Sequence, residues 1–313
     1  MSALIVECRP AADEGAVGFL IRALALNCSS MREALEYTYG HSRRHIQSDA
    51  SNAFAQLTGV PQSWFEHRLP SVSGKDRWQE VRLFGQAWRD DWTLRGTHQQ
   101  VCLDCLAEHG YARMEWDLAA YTACHHHQIV LLDHCGECGR GISPDRPALD
   151  VCSCGRYLAT ENKPADAAVV RWSALIAGAL ASRRDVIEGD GLIAMEPLRG
   201  MSLDGGYRVL LAFGGGKATL KGQVMNGVAT WLRSADLHDI LASALSRMAV
   251  SVNLARAGRT ELQRCADSLA EQKLRGISPF DRAAAGHLLE AIGQAPRWRN
   301  RQPIYHDQRD LFR

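Results

Sequence analysis

The sequence predicts a mainly helical protein in which a helical domain, a tandem zinc-binding module and a second helical domain follow one another. Three observations predict this class. Metal-ligating residues cluster in the middle of the chain, apolar residues before them recur at helical spacing, and capping residues and glycines bound long segments after them. The expected boundaries are residues 1–98, 99–160 and 161–293, followed by a basic tail at 294–313.

The N-terminal domain opens with two predicted helices. Residues 14–27 carry apolar side chains at helical spacing. Ser29 or Ser30 stands before the next segment as a candidate N-cap, and Gly40 is a candidate stop because glycine readily adopts the left-handed conformation found there.

Residues 49–69 predict a helix-turn-helix-like hairpin. Thr58-Gly59-Val60 forms a tight turn between two apolar-periodic segments, and Pro61 suits the first position of the second helix. Such a pair reads DNA in some proteins and is only a bundle hairpin in others. Its second segment is not strongly basic, which favours the bundle hairpin. Residues 75–92 mix four tryptophan and phenylalanine side chains with charges, and predict a helix packed on the zinc module.

The central region carries four short pairs of cysteine and histidine residues at zinc-ligand spacing. A two-residue spacer lets both thiolates of a C-x-x-C pair meet one tetrahedral ion at about 2.3 Å. One pair supplies two ligands, so four pairs predict two structural Zn²⁺ sites. In the simplest assignment the ligands are Cys102, Cys105, Cys124 and His127, then Cys135, Cys138, Cys152 and Cys154.

The spacing leaves other arrangements open. Alternating pairs would give a cross-braced module, and His125 or His126 could replace His127, although only His127 gives the C-x-x-H spacing. A disulfide framework is the other use of clustered cysteines. Charged residues such as Glu7 and Arg9 interrupt every N-terminal apolar run, so no signal segment is recognised and reduced thiols in a cytoplasmic protein are expected.

Charge limits the kinds of partner. The chain of 313 residues has a formal net charge of +1 and no apolar run near the roughly 20 residues of a membrane helix, so no membrane contact is expected. Residues 101–160 contain four arginines against eight carboxylates, and thiolates around zinc add further negative charge. A DNA-binding finger needs a positive face. The pattern therefore predicts zinc ribbons that present a protein-binding surface.

No catalytic residue and no nucleotide cofactor are predicted. A complete set of four protein ligands at each zinc leaves no open position for water. Residues 211–222 resemble a phosphate loop, but Leu211 and Ala218 replace the glycine and the Ser or Thr that such a loop requires. A flexible loop is the expected structure.

Four helices are predicted beyond the zinc region. The first lies within residues 165–189. The second begins at a Ser234 cap and continues through Val252. Thr260 and Gln263 resemble a capping box that opens the third, which Gly276 can close. Ser278-Pro279 opens the last, through Ile292 to Gly293. The last pair also fits a helix-turn-helix or any bundle hairpin.

The ordered elements of residues 102–155 resemble the signature of the TniQ family of transposition proteins. That signature runs C-x-x-C, Y-x-R-x-x-W-x-L, C-x-x-H-x-x-x-L-L-x-x-C-x-x-C-G and a late C-x-C-G. Besides the eight ligands, it matches Tyr111, Arg113, Trp116, Leu118, Leu131, Leu132, Gly139 and Gly155. The N-terminal segment also resembles the family's opening, with Gly18-Phe19 where the family has Ser-Trp. The resemblance covers roughly residues 10–160.

This resemblance implies a non-enzymatic target-selection adaptor in bacterial DNA transposition. Such adaptors connect a target-recognition element to an AAA+ ATPase regulator, which then recruits the transposase. In CRISPR-associated transposons the recognition element is a Cascade RNA-guided complex, to which the adaptor binds as a homodimer. DNA contact by the isolated chain is expected to be weak or partner-dependent. The alternative is a stand-alone sequence-specific DNA-binding protein that marks the insertion site through its helix-turn-helix segments.

Overall fold

The computed structural model describes residues 4–40, 46–73, 80–89, 93–96, 98–159, 162–188, 193–214, 232–249 and 259–293. Helices dominate the described part of the chain, as predicted, and its strands are short. The strands form one antiparallel three-stranded sheet and one two-stranded sheet. The domain boundaries given above stay predictions.

The N-terminal part contains four helices. They are α1 (Ala16–Leu26), α2 (Met31–Tyr39), α3 (Ser51–Thr58) and α4 (Gln62–Arg68). Ser30 caps α2 in a capping box with Glu33, and Gly40 ends it at φ 70°. Gly59, at φ 74°, provides the turn from α3 to α4. The helices and turn of the predicted hairpin are therefore present, while a DNA-binding role for them stays a prediction.

Aromatic side chains hold this hairpin against α1. The rings of Phe19 and Trp64 lie 5.2 Å apart, and those of Phe54 and Phe65 lie 5.8 Å apart. Phe19, Phe54 and Phe65 are fully buried. Burying each such ring stabilises the fold by about 2 to 3 kcal/mol, so the four helices share one core.

The helix predicted for residues 75–92 is wrong. The described residues there form strands β2 (Glu80–Leu83) and β3 (Gln86–Trp88), and β1 (Ser71–Ser73) pairs with β2. Phe84 and Gly85 make the two-residue turn, with φ 55° and 78°. Positive φ at both turn residues matches the right-handed twist of a hairpin and ends any helix. The alternation of buried Val81 and Leu83 with an exposed arginine between them is the strand signal.

The cysteine-rich region is built from short elements. Helix α5 (Leu103–His109) is followed by a 3-10 turn (Met114–Asp117) and by the two-stranded hairpin of β4 (Ala123–Cys124) and β5 (Ile129–Val130). Residues 131–159 continue as turns joined by isolated bridges, such as His134 to Gly141 and Val151 to Tyr157. Ligand geometry, rather than long strands, therefore shapes this part of the chain.

The described C-terminal part is a helical assembly. Its helices are α6 (Ala167–Ser182), α7 (Leu203–Phe213), α8 (Ser234–Ala249), α9 (Arg259–Arg275) and α10 (Pro279–Ile292), with a 3-10 segment (Ile193–Leu198) before α7. Ser278 caps α10 in a capping box with Asp281, and Gly293 ends it at φ 68°, as predicted. Gly276 follows the end of α9, also as predicted.

Two predicted caps are wrong. Ser234 is the first residue of α8 and not the residue before it, and its buried hydroxyl donates to Gln100 Oε1 at 2.7 Å and accepts from Arg95 Nη2 at 3.2 Å. Helix α9 already begins at Arg259, so Thr260 lies inside the helix rather than at its N-cap position. The rest of the helix predicted through Val252 lies outside the described residues. So do most of the predicted glycine loop, whose first residues end α7, and the basic tail.

A buried polar network joins the cysteine-rich region to the C-terminal helices. The Asp133 carboxylate accepts a hydrogen bond from the Ser234 amide at the start of α8 and pairs with the Arg95 guanidinium. In a separate contact, the Trp172 indole of α6 donates to the Ala120 carbonyl. An acid at a helix N-terminus satisfies unpaired amides and favours the helix dipole. None of the helices formed by the described residues has the length and apolarity needed to cross a membrane.

Candidate metal centres

The first quartet brings together Cys102, Cys105, Cys124 and His127. Cys102 occupies the N-cap position of α5, Cys105 lies in its first turn, and Cys124 ends β4. The Cys105 and Cys124 sulfurs are 3.5 Å apart, and His127 Nδ1 lies 3.5, 3.2 and 3.5 Å from the three sulfurs in chain order. All three cysteines are buried. The four ligand atoms therefore converge on one point.

Only one of the three consecutive histidines faces the sulfurs. His125 bonds the Tyr121 hydroxyl through Nδ1 at 2.7 Å, and its ring packs 4.0 Å from that of His126. Gln128, at φ 54°, turns the chain after His127 and leads into β5. The geometry thus selects the C-x-x-H register from the alternatives that the spacing left open.

A carboxylate orients the ligating histidine. Glu108, on α5, accepts from His127 Nε2 at 2.9 Å. This contact raises the pKa of His127 and lowers that of Glu108. Once Nε2 carries the proton, Nδ1 presents its lone pair to a metal, which is the usual arrangement of a carboxylate behind a histidine ligand. The sequence shows that Asp104 and Glu108 lie four residues apart on one helix. It does not show that Glu108 pairs with His127.

The second quartet brings together Cys135, Cys138, Cys152 and Cys154. Its sulfurs lie 3.9 Å apart for Cys135 and Cys154, and 3.8 Å for Cys138 and Cys152. Two similar knuckles supply them, because the Cys135 amide bonds the Arg140 carbonyl and the Cys152 amide bonds the Arg156 carbonyl. Both knuckles turn at a glycine with positive φ, Gly139 at 68° and Gly155 at 82°. Glycine suits this conformation because it lacks a Cβ.

The pairing is sequential, so the cross-braced alternative is wrong for this structure. The ligand atoms within each quartet all lie within 4.8 Å of one another. A tetrahedral zinc with bonds of about 2.3 Å separates its sulfurs by roughly 3.8 Å, and the spacings above are close to that value. The two donor sets therefore fit Zn²⁺, and each could hold one ion.

Metal-free clustering of these thiols is electrostatically unfavourable. The neighbouring sulfurs of Cys102 and Cys124 raise the pKa of Cys105, and burial adds to this rise. Several thiolates share a space of a few ångströms only when a cation offsets their charge. A divalent ion would deprotonate the ligands and offset that charge. Disulfides are absent from the described cysteines, all ten of which are free.

A clamp joins the first quartet's loop to the N-terminal helices. The Tyr111 hydroxyl donates to Asp13 Oδ1 at 2.6 Å, and Arg113 Nη1 donates to Asp13 Oδ2 at 2.5 Å. Backbone bonds from Gly15 to Ala112 and from Met114 to Asp13 extend the contact. Burial, and then the bond to Asp13, raise the pKa of Tyr111 to about 12, so the phenol stays a donor.

The same contact explains two features of the resemblance. Tyr111 and Arg113 are the Y-x-R of the signature, and their partner Asp13 belongs to the N-terminal opening. A Cβ at Gly18 would lie 2.5 Å from the Ala112 Cβ, so a serine could not occupy this position without movement of the segment. The opening's Arg22 bonds the buried Glu14 carboxylate with distances of 2.9 and 2.6 Å. The spacing of these residues along the chain does not indicate that they contact one another.

One family model, described as TniQ, matches residues 5–131. The matched segment contains the four N-terminal helices, the clamp and all four residues of the first quartet, and it ends before the second quartet. No curated protein matches the chain.

Proposed function

Because the chain belongs to the TniQ family through residues 5–131, we propose that it is a non-enzymatic adaptor linking a target-recognition complex to an AAA+ ATPase regulator and the transposase. The family itself implies a role in target selection during transposition. In the proposed pathway the adaptor first docks on the recognition complex and then presents a surface to the ATPase. An RNA-guided Cascade complex is the proposed recognition element.

The observation that carries this proposal is the family match. The clamp supports it because it joins distant residues of the matched segment. Asp13, Tyr111 and Arg113 join the two ends of the matched segment, so the helical hairpin and the first quartet form one continuous unit. In both quartets the chain supplies four ligands, which leaves no coordination position for a reacting water. We propose that two Zn²⁺ ions act here as structural supports for docking surfaces.

The surface of α4 favours protein docking over reading of a DNA sequence. Its exposed Gln62 and Glu66 bond each other at 2.7 Å. The guanidinium of Arg68 donates to the carbonyls of Ala12 and Glu14 and lies 4.7 Å from the Trp64 ring centroid. A recognition helix in the major groove needs free donors and cations toward the duplex. This helix offers few of them.

The test is a titration of the full chain against duplex DNA carrying the element's own target site and against a scrambled duplex. We expect micromolar or weaker binding to both at physiological salt, because few phosphate contacts are available. Adding the ATPase regulator, or a Cascade complex from the same element, should give a stable assembly on gel filtration. Nanomolar binding to the target alone, well above the scrambled duplex, would replace the partner-dependent adaptor by the alternative.

That alternative is a stand-alone DNA-binding protein that marks the insertion site. The observation that favours it is the α3–α4 hairpin with its glycine turn, which has the element order of a helix-turn-helix. Replacing Gln62 and Ser63 by alanine separates the two functions. Loss of target affinity in that variant supports direct DNA reading, and unchanged assembly with the ATPase regulator supports the adaptor.

A further inference from the structure

A cavity lies beside the α3–α4 hairpin and is separate from both metal centres. Its volume is about 910 Å³. Three parts of the chain wall it: the N-terminal segment from Leu4 to Pro10, residues Gln56 to Arg68 of the hairpin, and Arg183 after α6. These parts are far apart in sequence, so folding assembles the cavity from the N-terminal and C-terminal parts.

The inner surface of this cavity is apolar and rigid. Leu57 and Val60 are buried, and Trp64 is half-buried against Phe19 and Phe65, with ring centroids 5.2 and 5.0 Å away. Side chains held in this way cannot collapse into the space beside them. The floor therefore offers a preformed apolar surface to a side chain that enters from outside.

Arginines surround this floor. Arg9, Arg68 and Arg183 line the cavity, and Glu7 is its one carboxylate among the described residues. Burial, and then the charge of Arg183, lower the pKa of Arg68, and the carboxylates of Asp13 and Glu14 offset part of this effect. The hydrogen bonds of the Arg68 side chain go to uncharged backbone carbonyls. Positive charge is thus concentrated here, which costs free energy that an anion would offset.

Arg183 is held in place by its backbone. It ends α6 in the left-handed conformation at φ 53°, and the next residue's carbonyl accepts a 2.7 Å bond from Gln86 of β3. Among the described residues its exposed side chain has no hydrogen-bond or ion-pair partner. The neighbouring Arg184 differs, because it pairs with Glu188 and does not line the cavity.

We propose that this cavity is a docking site for a short acidic peptide of a partner protein. Apolar side chains of the peptide enter against Leu57, Val60 and Trp64, and its carboxylates bind Arg9 and Arg183 at the rim. A peptide fits these features better than a duplex does, because a phosphate backbone has no apolar group to fill the floor. Carboxylates also match the planar donors of arginine.

The proposal rests on the adaptor function in one respect, which is that the partner protein belongs to the transposition machinery. The chemistry of the cavity stands without it. Binding is therefore tested with a synthetic peptide and the full chain, without any transposition protein. Failure of the peptide to bind would leave the proposed function intact, and failure of ATPase recruitment would leave the cavity's ligand class intact.

The experiment measures fluorescence anisotropy of a short labelled peptide in which Glu alternates with Leu. The matched probe replaces each Glu by Gln. Arg183→Asn removes the charge with a residue that tolerates positive φ, and Arg184→Gln is the control one position away. We expect saturable binding of the Glu peptide, about tenfold weaker binding to Arg183→Asn, and unchanged binding to Arg184→Gln.

Four outcomes overturn the proposal. Equal losses in both arginine variants would indicate unspecific attraction by net charge, and equal binding of the Gln peptide would remove the acidic requirement. Absence of saturable binding would reject a peptide site. A short DNA duplex that binds more tightly than the peptide, with the same dependence on Arg183, would assign the cavity to nucleic acid. Unchanged thermal melting of both variants shows that folding is not the cause of a loss.

Discussion

The two cysteine quartets differ in how the chain surrounds them. The first combines a helix N-terminus with a strand hairpin, buries all three cysteines and supports its histidine with Glu108. The second is held by two glycine knuckles, and Cys138 is exposed. The family match includes the first quartet and ends before the second.

This difference indicates unequal structural roles. The loop of 18 residues between Cys105 and Cys124 carries the clamp to Asp13, so the first centre positions the N-terminal helices. The second centre lies next to Asp133, which caps α8, but its own knuckles make mostly local contacts. We therefore expect loss of the first centre to spread through the matched segment, and loss of the second to remain more local.

The largest effect is expected for Cys124→Ser. Structural zinc binding contributes folding free energy on the order of 10 kcal/mol, and this variant should lose one of two zinc ions per chain and unfold the matched segment. Elemental analysis and circular dichroism measure the two effects. Cys28→Ser is the control, since Cys28 is exposed and outside both quartets. One zinc or none in the parent protein, purified without chelator, would contradict the assignment.

A smaller loss is expected for Cys138→Ser. This variant should also lose one zinc, but the N-terminal helices should keep their hydrogen-exchange protection because the Asp13 clamp and first centre remain. The measurement is hydrogen exchange of α1 and α4 in both cysteine variants. Equal loss of protection in the two variants would show that the two centres form one cooperative unit and have equal structural roles.

Glu115 tests the unequal roles of the two quartets through the pH dependence of stability. Burial raises its pKa to about 7 from 4.5. The folded protein thus binds more protons than the unfolded chain between these values, so this group's contribution is most favourable at low pH and falls as pH rises toward 7. The total change in the free energy of unfolding from this group is about 3 kcal/mol, of which about 1 kcal/mol occurs between pH 6 and pH 8.

Glu115→Gln should remove that part of the pH dependence and leave zinc content unchanged. The measurement is the free energy of unfolding by urea at pH 6 and pH 8, in buffer that keeps both metals bound. The second quartet serves as the internal control, because its exchange protection should not follow the substitution. Parallel pH profiles of the parent and the variant would show that Glu115 does not titrate in this range.

An effect of similar size is expected at the clamp. Asp13→Asn removes the charge that Tyr111 and Arg113 share, and should cost about 1 to 2 kcal/mol because Asp13 is partly exposed. Tyr111→Phe removes one of the two bonds and should cost less. A double-mutant cycle between the two positions measures their coupling. Additive losses would mean that the hydroxyl and the carboxylate do not act together.

The local signals of the fold could be predicted, and the long-range contacts could not. Ser30, Gly40, Ser278 and Gly293 mark helix ends because capping depends on residues a few positions apart. The ligand spacing predicted both quartets, since each knuckle is local. The aromatic residues around the β2–β3 hairpin do not distinguish a helix from a strand. The two-residue turn at Phe84-Gly85 does so through its positive φ, which is not visible in composition.

Contacts between distant segments explain the remaining errors. Ser234 looks like a cap, yet its amide is satisfied by Asp133, which lies 101 residues away. Asp13 lies 98 residues from Tyr111, and no pattern within one segment pairs them. The cavity formed with Arg183 is likewise assembled only by tertiary packing. Each of these contacts depends on which surfaces of the helices and loops pack together. The spacing of residues along the chain does not specify that packing.

The smallest effect is expected for His125→Ala, which tests the ligand register of the first centre. The His125 ring bonds Tyr121 and faces away from the sulfurs, so its removal should leave two zinc ions per chain. His127→Ala should lose one, because its Nδ1 lies within 3.5 Å of all three sulfurs. Elemental analysis of the two variants decides between them. A zinc lost from the first variant and kept by the second would move the ligand to His125 and require the chain between Cys124 and Gln128 to turn differently.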